Sequence, residues 1–420
     1  MMKLWRISSG LRIEPFGDAP DDAQVGGETL KEAVERAAGE CGLEVCPEPP
    51  APGEKELLLA PDYFFFTREA VAEFLTLAPR EPGIFRLWLK AGPLVEYLKP
   101  LSAGDESPSG LGLDCFLVRG ASAPAPGNWP ELKRQLAERA QAVYLDPEGQ
   151  YQELTLSRPG PPRQKWSVPQ TTRVAAHLLH WVHLLWLNQL LCRTRLLEHW
   201  SHDAKIRRRL SEARPLSPDE LRRLNVIGPG CDIHPTAYVE GSILGRGVRL
   251  GPRAFVCNSI VGDGVEVADF SRFHRCVVGA GCHTLNDSHF SWSTFYPEST
   301  LASFLLRNSV IGRRVFLTSG VMFWDEPITG TVSVKAGEAQ VDTGRWMLGG
   351  CAGHRCLLGT RAIFLPGRAV PNDTIIVMRP EEGVTKIPAA VPAGHPYVYD
   401  GGEIRELSAA LPGWRAAELE

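Results

Sequence analysis

The chain changes its hydrophobic pattern twice. Up to about residue 168, short apolar runs alternate with stretches of helical spacing. "ETLKEAVERAAGECG" (28–42) predicts a helix that stops at Gly42. "EKELLLAPDYFFFT" (54–67) holds a buried strand that ends at Pro61-Asp62, and "TREAVAEFLTLA" (67–78) predicts a helix capped by Thr67. Strand-then-helix alternation predicts an α/β layer domain. Pro/Gly-rich loops at 47–53, 120–130 and 158–162 interrupt it.

The second texture is "TTRVAAHLLHWVHLLWLNQLLCRTRLLEHW" (171–200), which has no Gly or Pro and predicts one long amphipathic helix. Leu178, Val182, Leu185, Trp186, Leu196 and Leu197 share its apolar face; His177, His180, His183, Asn188, Arg195 and Glu198 fall opposite. The expected role is a connector packed on the first domain or on another subunit. Contact with a membrane surface and a metal held by His180 and His183 are alternatives; the polar residues argue against a spanning helix.

The third texture is a repeat. From residue 227 an aliphatic or aromatic residue opens each unit of six, sometimes five, residues, and Gly often follows it: I-GPGCD, I-HPTAY, V-EGSI, L-GRGVR, L-GPRAF. The pattern returns after 350 as A-GHRCL, L-GTRAI, F-LPGRA, V-PNDTI. This period predicts a parallel β-helix of hexapeptide repeats, with three short strands and roughly 18 residues per coil. The opening residue of each unit points inward. The expected domains are therefore 1–168 (α/β), 169–222 (helix and linker), 223–380 (β-helix) and 381–420, a tail covering the open end of the β-helix, with "EIRELSAAL" as a short helix.

Composition adds limits. A net charge of -4 over 420 residues, with no long basic run, does not suggest a nucleic-acid surface. The ten cysteines are scattered without a CxxC pair, so they read as reduced thiols rather than a zinc framework. The start, "MMKLWRISSGLRIEP", shows no apolar signal region, and a cytoplasmic protein is expected.

Six stretches carry a resemblance. "RNSVIGRRVFLTSG" (307–320), "VDTGRWMLGG" (341–350) and "AGHRCLLGTRAIFLPGRAVP" (352–371) resemble the β-helix coils of the bifunctional sugar-1-phosphate nucleotidyltransferase/acetyltransferase family. "GLRIEP" (10–15), "VGGETLKEAVERAAGECGLEV" (25–45) and "LLLAPDYFFFT" (57–67) follow that family's order of Gly-rich loop, helix and aspartate strand. The resemblance implies a degenerate Rossmann-like nucleotidyltransferase domain, a helical linker and a left-handed β-helix that assembles as a homotrimer. It implies a sugar phosphate or nucleotide sugar as ligand. It also implies Asp62 as a holder of magnesium, with Arg12 and Arg345 as substrate contacts. The departures are as informative. Only "SSGLR" remains of the phosphate-cradling loop, and Glu28 stands where a Lys is expected. The family's His base and Tyr are Ala302 and Leu305 here, and its β-helix Lys is Met347.

"CHTLNDSHFSW" (282–292) offers replacements. His283 and His289 are candidate bases, and Asn286 and Asp287 candidate orienting or hydroxyl-binding groups. The two histidines are six residues apart, one unit, so they belong to successive sides of the prism; a shared site needs a second subunit. A zinc site between subunits, like that of the β-helical carbonic anhydrases, needs a third His near 253 or 325, where Arg253 and Asp325 stand, and His274 is out of phase. His234 and His354, one place after inward residues, read as structural. Two function classes follow: a transferase of sugar-phosphate metabolism with altered catalytic residues, or a silent relative that binds a nucleotide sugar or serves as a trimeric scaffold.

Overall fold

Seven strands build the first sheet, six in the spatial order Gln141–Leu145, Gly83–Lys90, Gly110–Arg119, Glu56–Pro61, Met2–Ile7, Leu43–Cys46, with Asp105–Ser107 also paired to Gly110–Arg119. All are parallel except Gly110–Arg119, which runs against its neighbours. This is a Rossmann-like mixed sheet, and the computed structural model that shows it describes residues 2–49, 54–120, 128–147, 150–155, 165–211, 216–377, 379, 397–400 and 403–406. Helices Leu30–Glu40 and Arg68–Leu77 form where the spacing predicts them. Thr29 and Thr67 cap them through Glu32 N–H and Ala70 N–H, and Glu32 completes a capping box with Thr29.

The stretch 171–200 departs from the single helix expected. Ala175–His177 pairs antiparallel with Phe64–Phe66, and the helix runs only over Trp181–His199, with His180 as N-cap. A pairing partner more than a hundred residues away in sequence outweighs local helical spacing here. The helix is also not amphipathic in use: every residue from Trp181 to Leu197 is buried. Its polar residues act as interior clamps. Asn188 donates to Gln24 O and accepts from Gly26 N–H, at 2.8 and 2.7 Å, and Gln189 donates to Trp292 O at 2.8 Å. No face remains for a membrane surface. Among the described residues no helix is long and apolar enough to cross a membrane.

From Val226 the chain winds into a left-handed parallel β-helix with three sheets. Val226 pairs with Ile243, Ile243 with Ile260 and Ile260 with Val277, so the first coils take 17 residues rather than 18, whereas the last, from Cys351 to Ala369, takes 18. The missing residue is lost at one corner. Asn258, Arg275, Trp292 and Asn308 each turn it as a single residue with φ between 49° and 56°. Inward residues such as Val256, Phe273, Phe290 and Leu306 stack in the bore.

One coil is broken open. Val310 pairs with Cys351, 41 residues on. The intervening excursion carries the hairpin Ser333–Ala336/Ala339–Asp342 and folds back onto the first domain. Val332, Val334 and Leu348 join the same buried cluster as Leu184, Trp186 and Leu190 of the long helix. A second tie lies at Asp18, whose Oδ2 accepts from Arg313 Nη2 at 2.6 Å and His354 Nε2 at 3.0 Å. Near the end, Glu403–Glu406 is a strand paired with Tyr397–Asp400, where a helix was expected; the rest of the tail lies outside the described residues.

Candidate functional site

The first strand, Met2–Ile7, has Leu43–Cys46 on one side and Glu56–Pro61 on the other. The chain thus reverses its direction of travel across the sheet between Met2–Ile7 and Glu56–Pro61. At such a switch point the loops leaving the carboxyl ends of the two strands diverge and leave a crevice for ligands. Asp62 and the Ser8–Arg12 loop stand at those two ends. Asp62 N–H donates to Ile7 O at 2.8 Å, and Ser9 Oγ donates to Asp62 Oδ1 at 2.6 Å. Leu11 N–H in turn donates to Ser9 Oγ at 3.2 Å, so the short loop is closed over the carboxylate. Arg6 braces the turn from below. It donates to Asp62 O at 2.6 Å and Phe64 O at 3.2 Å, and its Nε reaches Asp21 at 2.8 Å. Asp62 is buried, whereas Arg12 is exposed on the same loop.

For magnesium, Asp62 would be the protein ligand at this edge, and waters and a substrate phosphate would have to complete the shell. Mg²⁺ needs six oxygens in near-ideal geometry. Here one buried carboxylate has an oxygen already engaged by Ser9. Among the described residues no group of three or more His, Cys, Asp or Glu side chains is placed to hold a metal.

Next to this edge lies a cluster that sequence reading missed. Asp114, on the antiparallel strand, is fully buried. It accepts from Tyr63 Oη at 2.7 Å, Lys133 Nζ at 2.9 Å and Arg86 Nη2 at 3.2 Å. Burial would raise its pKa, but the neighbouring His177, Lys133 and the Tyr63 hydroxyl hold the carboxyl below its ordinary range. His177 Nε2 accepts the Asp114 N–H at 2.9 Å, so that ring is neutral, and burial pushes its pKa down to about 4. Trp129 Nε1 donates to Tyr63 Oη at 2.7 Å. Each group has its partner, so the cluster clamps the helix Trp129–Ala137 to the sheet and leaves no free acid or base.

A cleft of about 680 Å³ opens where the first domain, the long helix and the β-helix meet. Gly26, Glu28, Arg68, Glu69, Arg195 and Glu198 are among its lining residues. Arg195 bridges Glu28 at 2.6 Å and Glu198 at 3.0 Å. Burial raises both carboxyls. Its residues come from several parts of the chain, so no local motif could announce it.

The sequence-predicted β-helix residues do not converge within one chain. His283 and His289 lie on different sheets, in register with Glu266 and Arg272. His283 is half exposed, 3.6 Å from the Glu266 carboxylate. Asn286 and Asp287 form the exposed corner between the two strands, Asp287 with φ 59°. Arg345 is engaged elsewhere. It caps the helix Pro93–Leu98 by donating to Glu96 O at 2.7 Å and Tyr97 O at 2.8 Å, and it lies 5.1 Å over both the Tyr97 and Trp186 rings. His180 and His183 bond backbone groups through both ring nitrogens.

Neither a family model nor a curated protein matches the chain. Among solved structures it is similar to a putative glucose-1-phosphate thymidylyltransferase from Bacillus anthracis, solved in complex with a sucrose. The likeness has 11% identity and a TM-score of 0.22, over 35% of this chain and 87% of that one.

Proposed function

We propose that the first domain binds a sugar phosphate or nucleotide sugar in the crevice between the Ser8–Arg12 loop and the Asp62 turn, and that the protein is a nucleotidyltransferase-like, hexapeptide-transferase-like member of sugar-phosphate metabolism. The observation that carries this is the position of Asp62 at the topological switch of the sheet. Arg12 supplies a cation for phosphate, and Asp62 and Ser9 supply hydroxyl-binding groups for the sugar. No step is assigned to magnesium. Thermal-shift measurements with sugar 1-phosphates, nucleoside triphosphates, nucleotide sugars and acetyl-CoA test the reading, each with and without magnesium. A saturable shift with one phosphate-bearing sugar, lost in Arg12→Ala and Asp62→Ala, supports it. No shift with any of these ligands from a folded protein overturns it.

A second reading has its own support. Phe316, Leu357 and Ile375 stand in one outward row of a β-helix face, all exposed, in register with Thr300 and His283. An apolar row of this kind suits self-association into a trimer. His283 would then sit beside a neighbouring subunit, where it and the neighbour's copy of His289, with Asn286 and Asp287, complete an acyl-transfer or sugar site. In the silent alternative the same trimer is a scaffold. Light scattering distinguishes these from a monomer: Phe316→Asp with Ile375→Asp should dissociate the assembly.

A further inference from the structure

The long helix crosses the β-helix at the corner column formed by Asn258, Arg275, Trp292 and Asn308. Gln189 binds Trp292 O, and Cys192 Sγ donates to Cys276 O at 3.5 Å. Beside Cys192 stands Arg193, 8% exposed; Arg275 is 4% exposed. Among the described residues neither guanidinium has a carboxylate within salt-bridge distance. Arg193 Nε and Nη1 are buried without a hydrogen-bond partner. Arg275 lies 4.4 Å over the Trp292 ring. Among the described residues its guanidinium nitrogens make no hydrogen bond. Asn258, on the neighbouring coil of the same column, also has a buried Oδ1 without a partner.

The two charges sense each other. Burial lowers the pKa of both, and Arg275 is the next cause of the fall at Arg193, to about 10. Both remain cationic at neutral pH, because a guanidinium does not give up its proton there. Glu240 acts on Arg193 from beyond contact distance, and its own Oε2 accepts the Tyr238 hydroxyl at 2.6 Å. A buried charge is retained against its desolvation cost when a counter-charge completes it. Two like charges in one seam, with no carboxylate among the described residues within salt-bridge distance, are a place where a counter-charge would offset the cost of burial.

We infer that Arg193 and Arg275 form an oxyanion site for a phosphate group, separate from the crevice at Asp62. A phosphate dianion balances two guanidinium groups, and its oxygens match their planar donors.

Thermal unfolding of the full chain in millimolar inorganic phosphate, against sodium chloride at matched ionic strength, is the first test, with equilibrium dialysis for stoichiometry. Wild type should show a saturable rise in Tm and bind one phosphate per chain. Arg193→Met should lose both responses, yet melt above wild type in phosphate-free buffer, because an uncompensated charge has gone. If that variant fails to fold, Arg275→Gln should still lose the phosphate response. The inference is overturned if wild type responds to phosphate no more than to chloride, which would leave the counter-charge to a neighbouring subunit's carboxylate. It is equally overturned if both variants keep the response.

Discussion

Three histidines make the protein sensitive to mild acid, and the effect can be worked from their bonds. His177 Nε2, His180 Nδ1 and His183 Nδ1 each accept a backbone N–H, from Asp114, Val182 and Leu179. Their other nitrogens face Ser102 Oγ, Lys335 O and Pro100 O. A second proton breaks an acceptor bond in each case and places a charge in the interior. At His180 that charge would also face the start of the long helix, the positive end of its dipole. Burial accordingly lowers the pKa of His177 and His180 to about 4, and of His183 to about 3. The folded state binds fewer protons than the unfolded chain, so this stability is present above about pH 6.5 and is lost as pH falls from there towards 4. At pH 5 each histidine costs about 2 kcal/mol, roughly 6 kcal/mol for the three, a large share of the ~5–15 kcal/mol typical of a domain. Glu28 and Glu198, whose pKa values are raised, act in the opposite sense over the same range. The test is therefore a difference in slope. Denaturant titrations followed by tryptophan fluorescence would compare wild type with His183→Leu from pH 7 to pH 4.5. The variant should be less stable at pH 7, since the Leu179 N–H and Pro100 O lose their partner. It should also lose stability more slowly on acidification, by about 1.4 kcal/mol per pH unit, the worth of one proton. Parallel curves would refute the reasoning.

Two further outcomes follow from the same contacts. Asp18→Ala leaves the buried His354 and the Arg313 guanidinium without their shared carboxylate, and should cost roughly 2–3 kcal/mol, seen as a lower midpoint in urea. Gly367→Ala places a Cβ 2.4 Å from Ser333 O at φ +75°, and should expose the excursion to limited proteolysis at a protein concentration where wild type resists it.

The caps and phases that are local in sequence were legible there. Thr67 marks the helix start it provides, Gly42 the end of the first helix, and the repeat of inward residues announces the β-helix. The 17-residue coil was not legible, because it rests on single left-handed corners that residues as different as Asn258 and Trp292 adopt. The strand Ala175–His177 depends on Phe64–Phe66, and helical spacing holds no record of that partner. Burial of the whole long helix has the same cause: its polar face reads as solvated until the Gly26 loop, the Pro93–Leu98 helix and the β-helix corner close around it. The separation of His283 from His289 follows directly from the unit spacing. Asp114 and Arg193 carried no motif, since their partners lie far along the chain.

The excursion between Val310 and Cys351 has a consequence for synthesis. The hydrophobic core of the first domain includes Val332, Val334 and Leu348. A chain emerging from the ribosome therefore cannot finish its first domain until residues 332–348 have been made. Until then the side of the long helix that the excursion will cover stays open, at the stage when exposed apolar surface invites aggregation. Truncation before the excursion should thus yield not a free first domain but an insoluble one, and protease cleavage in the linker after the long helix should nick the protein without releasing two halves.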